Sequence, residues 1–147
     1  MDFLKTCNFV QQINDRKFRN NMREELLGPK VENVAVAIVQ QEGEDKHPIY
    51  NTYLINLRDD IMEGIIITSN GYGENVATGE KVKTSMLRHC MEILLPNEAA
   101  RIEPIMEEVF GLTNEYWVSF WVNDTMYDKK FIFLPETIQE KNMKPIP

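Results

Sequence analysis

From Val34 onward the chain alternates between short apolar runs and clusters of turn residues. Val34–Gln41 (VAVAIVQQ) is β-branched and ends in the polar stretch EGEDKHP. Ile49–Arg58 (IYNTYLINLR) follows, then the turn DDIMEG. Ile65–Ser69 (IIITS) runs into NGYG, whose glycines suit a loop between strands. TGEK, Thr78 to Lys81, reads as another turn, and Glu115–Asn123 with Tyr127–Pro135 reads as a hairpin. β-Branched runs at this spacing predict a mainly β domain: a single immunoglobulin-like antiparallel β-sandwich of about seven strands.

One segment supports two periodicities. In KTSMLRHCMEILLP, Lys83 to Pro96, the residues Met86, Leu87, Cys90, Ile93 and Leu94 fit a helix face. Leu87, His89, Met91, Ile93 and Leu95 fit a strand face equally well. The following LLPNEAARIEPI reads as strand, tight turn and strand, which favours strand here too. Glu103-Pro104 then marks an edge or a strand end, because proline cannot donate to a ladder.

The first 28 residues read differently. Phe18, Met22 and Leu26 share one helical face, and Gly28-Pro29 stops the run. Phe3, Leu4, Cys7, Val10 and Ile13 make a weaker stripe upstream. The predicted organisation is a helical extension over 1–30, the sandwich over 31–138 and a tail over 139–147.

The hairpin carries more apolar surface than one core needs. Pairing Val122 with Tyr127 puts Tyr116, Val118, Phe120, Tyr127, Phe131 and Phe133 on one face, which belongs in the core. The other face carries Trp117, Ser119 and Trp121 across from Ile132, Lys130 and Asp128. Two tryptophans represent roughly 300–500 Å² of contact surface, and an exposed patch of that kind marks a contact site. Two occupants are open: the leader's own Phe18/Met22/Leu26 stripe, or a partner or second subunit. A small-ligand platform is the weakest reading.

Composition narrows the partners. With 43% apolar and 27% charged residues the chain is globular rather than disordered. Net charge is −7, and residues 34–147 hold ten basic against eighteen acidic side chains. Phosphate backbones are bound chiefly through Lys and Arg, so nucleic acid is excluded as a primary partner. Two cysteines make no disulfide framework. With no signal-peptide or membrane-spanning run in view, the expected location is cytoplasmic.

The string NTYLINLRDDIMEGIIITSNGYG, together with KVKTSMLRH and NEYWVSFWVNDTMYDKKFIF, resembles a small family of bacterial proteins over about Val34 to Ile138. Some members carry an automatic label of phenylalanyl-tRNA synthetase subunit alpha. A class II synthetase core is larger than this chain and needs an arginine-bearing motif to hold ATP. Neither Arg88 nor Arg101 stands in such a context. The resemblance therefore implies, at most, an accessory domain linked to that enzyme.

Catalytic candidates are sparse. His89 and Cys90 are adjacent, so on a strand they point to opposite faces and cannot grip one atom. His47 and Cys7 show no ligand spacing, and no metal or cofactor is expected. SNGYG, Ser69 to Gly73, lacks the further glycines and following helix of a phosphate-binding loop. Glu98, Glu103, Glu107 and Glu108 read as a solvated acidic run. No catalytic residue is assigned. The leading expectation is a non-enzymatic interaction module using Trp117, Ser119, Trp121, Lys130 and Ile132. The alternative is a small enzyme or ligand-binding domain using His89 and nearby carboxylates.

Overall fold

The computed structural model describes residues 31–74, 77–135 and 137–138 in full, and the backbone of 8–12 and 144–145. Among the described residues ten strands follow in order: β1 (Asn8–Gln12), β2 (Val34–Glu42), β3 (Pro48–Asn56), β4 (Met62–Glu74), β5 (Lys81–Lys83), β6 (Leu87–Leu94), β7 (Ala99–Pro104), β8 (Thr113–Val122), β9 (Thr125–Phe133) and β10 (Lys144–Pro145). A single 3-10 turn, Glu107–Val109, separates β7 from β8. The first sheet has the order β10-β1-β2-β3-β7. In the second, β4 pairs with β8, β8 with β9, and both β5 and β6 line the remaining side of β4. Every pairing is antiparallel.

The two sheets face each other across one core. Val34, Val36, Ile38 and Leu54 enter it from the first sheet, and Ile65, Ile67, Val118, Phe120, Phe131 and Phe133 from the second. Phe120 stacks on Tyr127 at 5.4 Å, and Tyr116 meets Phe133 edge to face. β2 is buried on its other side as well, where Ala37 and Val39 join Tyr53 in a second, smaller cluster. Double burial explains the unbroken apolar run VAVAIV, which strict alternation would not produce.

One end of the sandwich is closed by Asn56, a fully buried polar residue. Its Nδ2 donates to the carbonyls of Asp60 (2.8 Å) and Leu94 (3.1 Å), and its Oδ1 accepts from the Arg58 amide (2.9 Å). Its backbone also engages the corner after β6: the Asn56 amide donates to Glu98 and the Asn97 amide to Asn56. One side chain thus ties β3 of the first sheet to β6 of the second.

Four expectations change. Asn8–Gln12, read as part of a helix, is strand β1, with Val10 opposite Ile38. A backbone ladder along β2 outweighs the weak helical stripe there, since β2 would otherwise expose a row of unpaired amides and carbonyls. The Phe18/Met22/Leu26 stripe lies outside the described residues. SNGYG is no loop but the second half of the 13-residue β4. A Cβ on Gly71 would come within 3.1 Å of Asn114 Oδ1, and one on Gly73 within 3.0 Å of Leu112, so these glycines serve close packing inside the strand. LLPNEAARI does not make a hairpin either. β6 pairs with β4 and β7 with β3, so the Pro96-Asn97 turn carries the chain from one sheet to the other. Finally, the expected seven strands correspond to the longer elements β2, β3, β4, β6, β7, β8 and β9, with three short strands added. Lys83–Pro96 does contain a strand, β6.

Candidate functional site

The hairpin is closed by a two-residue turn, Asn123-Asp124, with Val122 opposite Thr125. Asn123 has φ +53°, the left-handed conformation that such turns require and that asparagine tolerates. The register is therefore two residues away from the expected pairing of Val122 with Tyr127. Because side chains alternate with period two, a slip of two leaves every residue on its expected face and changes only its neighbour. Trp117 faces Lys130, Ser119 faces Asp128, Trp121 faces Met126, and Ile132 faces Glu115.

Residue rows continue across the sheet. Arg88, Thr68, Trp117 and Lys130 form one; Cys90, Ile66, Ser119 and Asp128 the next; Ile93, Glu63, Trp121 and Met126 the third. Trp117 and Trp121 are 46% and 43% exposed, and Ile66, Ile93 and Met126 are similarly open. Among the described residues none covers either tryptophan, and the leader stripe expected as one possible cover lies outside them. Lys130 Nζ sits 5.0 Å over the Trp117 ring and 3.4 Å from Glu115 Oε1. Tyr72 donates its hydroxyl to the same Glu115 oxygen at 3.2 Å. Ile132 is half-buried at the margin.

Trp121 owes its position to a bulge. Between Glu63 and Ile66, β4 carries one residue more than β8 opposite it. The extra residue is accommodated at Gly64, where φ is +54° and a Cβ would approach Trp121 Cδ1 to 3.2 Å. Ile66, Ile93 and Met126 were not legible as members of this face. IIIT is apolar throughout, and only the pairing of β4 beside β8 reveals which isoleucine points outward.

A second cluster lies between the sheets. His89 points inward while Cys90 points out and is exposed, as adjacent strand residues must. His89 Nε2 stands 3.7 Å from Glu103 Oε1, too far for a hydrogen bond. Both atoms are buried without a hydrogen-bond partner. Tyr116 is nearby: burial, then the Glu103 charge, push its phenol well above the ordinary value, against the lowering effect of a hydrogen bond with Thr52. Thr52 also donates to the Glu103 carbonyl at 3.1 Å. Glu103 and Tyr116 line an open cavity of about 220 Å³ together with Ser69, Thr84, Asn114 and Leu87. Of the acidic run only Glu103 belongs here, since Glu107 and Glu108 are exposed on the 3-10 turn. His47 lies in an exposed loop.

Among the described residues no group of three or more His, Cys, Asp or Glu side chains is arranged to hold a metal ion. No helix among them is long and apolar enough to cross a membrane. No protein-family model, curated protein or solved structure matches the chain.

Proposed function

We propose that this protein is a non-enzymatic interaction module that contacts another protein chain through the Trp117/Trp121 face. The observation that carries this reading is the open apolar patch of Trp117, Trp121, Ile66, Ile93 and Met126 on a rigid sheet. Such a patch, bordered by Arg88, Lys130, Glu63, Glu115 and Asp128, has the apolar centre and polar rim of an interface. Aromatic residues at its middle are the type that dominates binding energy when covered. The test compares wild-type protein with Trp117→Ser/Trp121→Ser as immobilised bait for proteins of the native host, this chain included. Both side chains point away from the core, so circular dichroism of the variant should match wild type. A bound chain should be lost with the variant, and equal retention by both baits refutes the reading.

The arrangement is also proposed to be immunoglobulin-like. Strands β2, β3 and β7 against β6, β4, β8 and β9 follow the order of that Greek-key family with an extra strand beside the third. The topology says nothing about activity.

The unpartnered His89 and Glu103 atoms favour a second reading, a small-ligand site in the cavity beside them. With Glu103 the only charged side chain lining it among the described residues, the ligand would be a small amine. Calorimetry with n-butylammonium, on wild type and Glu103→Gln, decides it: saturable binding lost in the variant is expected, and no binding by wild type refutes it.

A further inference from the structure

We infer that the occupant of the tryptophan face is a second copy of this chain, related by a two-fold axis running along the strands between β4 and β8. This rests on the face being a protein-contact surface, as proposed above, and adds the identity and orientation of the partner.

Charge sets the first condition. The chain carries −7, so an anionic membrane or a nucleic acid is repelled, and an acidic patch would call for a basic partner. This face is not such a patch: Arg88 and Lys130 stand among Glu63, Glu115 and Asp128. Arg88 and Asp128 are exposed, at opposite edges of the sheet, on β6 and β9. A surface bearing both signs at opposite margins complements itself when rotated by half a turn.

Shape sets the second condition. Rotation about an axis along the strands lays β4 of one copy over β8 of the other at the same level. Ile66 then meets Ser119 of the other copy, because the two share a row. Ser119 is the small residue between Trp117 and Trp121, so it forms the hollow and Ile66 the projection, twice over. Thr68 lies under Trp117 of the other copy by the same rule. At the margins β6 comes over β9, and Arg88 is one two-residue step, about 7 Å, from Asp128 of the other copy, within an arginine's reach. Lys130 shares Arg88's row and so stands at its level in the other copy, but its charge is already met by Glu115 at 3.4 Å while it lies over the Trp117 ring.

Size sets the third. Four strands at ~4.8 Å and about eight residues at ~3.3 Å give a platform of roughly 500 Å² in projection. Side-chain relief raises its accessible surface toward the ~800 Å² per subunit of a standard interface. Pairing through the edge of β9 is disfavoured by Asp128, Lys129 and Lys130, charges that guard such edges.

The full chain should be followed by sedimentation from ~1 to ~100 µM, the range of a modest dimer. Wild-type mass should rise toward two chains with concentration, and Trp117→Ser/Trp121→Ser should abolish the rise. Arg88→Asp and Asp128→Arg, each alone, set like charges together at both margins and should weaken dimerisation about tenfold. An equimolar mixture of those two variants restores opposite charges at both margins and should associate at least as well as wild type. A wild-type mass fixed at one chain overturns the inference, while the bait experiment above still judges the face itself. A dimer untouched by the tryptophan substitutions overturns both. Loss on tryptophan substitution, without complementation between the charge variants, overturns the two-fold arrangement.

Discussion

Replacing Asn56 with alanine should cost far more than its size suggests. The substitution removes no apolar contact of consequence. It deletes three hydrogen bonds, to Asp60, Leu94 and Arg58, at 2.8, 3.1 and 2.9 Å. A typical internal hydrogen bond contributes about 1 kcal/mol net, and partners left unpaired in a dry site add to the loss, so Asn56→Ala should destabilise by about 3 kcal/mol. With a urea slope of ~2 kcal/mol/M for a domain of this size, the midpoint should fall by ~1.5 M. Far-ultraviolet circular dichroism is the right probe, because the half-exposed tryptophans respond weakly to unfolding. Asn56→Asp sharpens the test: it keeps an acceptor for Arg58 but turns a carboxylate toward two carbonyl oxygens. Its charged form is disfavoured in the fold, so its folded pKa should lie above the unfolded ~3.9. The penalty should then be full at neutral pH and shrink as pH falls through the folded value. A midpoint shift for Asn56→Ala below ~0.3 M would mean that the sheets are held at this end by packing alone.

Three further outcomes follow from single residues. Tyr116 has its phenol pushed above the ordinary 10.0 by burial, so the stability it lends is complete below pH 10 and is lost as pH rises beyond it; ultraviolet titration should find tyrosine absorbance that changes only on alkaline unfolding, and Tyr116→Phe should shrink that step. Gly64→Val adds a β-branched residue at φ +54° under the Trp121 ring, and should cost about 2 kcal/mol while changing tryptophan emission; unchanged emission would show that the bulge does not seat Trp121. Phe120→Ala empties a fully buried site stacked on Tyr127 and should cost about 3–5 kcal/mol in denaturant unfolding, whereas a cost under ~1 kcal/mol would contradict the core assignment.

The pattern of apolar positions carried β2, β3, β4, β8 and β9 because each of them buries at least one face, and burial leaves a periodic trace. It carried the two faces of β8 and β9 for the same reason. It did not carry register, which depended on Asn123 adopting positive φ. The Asn-Asp pair between Val122 and Thr125 was the available signal, and the wider loop masked it. Pairing across sequence was silent as well. His89 meets Glu103 only because β6 and β7 sit in different sheets, and nothing in either strand records that. β1 was misread because its place is set by a backbone ladder to β2, which the side-chain pattern of five residues does not record.

The central place of β4 has a consequence for how the chain comes into being. Residues 62–74 can pair with β6 soon after synthesis, but the other side of β4 waits for β8, whose last residue is Val122. At ~5–20 residues per second a ribosome needs several seconds to supply that length. During that interval the core around Ile65 and Ile67 lacks Val118 and Phe120 beside them, although β2 and β3 of the facing sheet are already made, and one flank of the growing sheet offers unpaired amides. The nascent chain is thus most vulnerable to misassembly between the emergence of its fourth strand and its eighth, and slowed translation across that window should lower the yield of soluble protein.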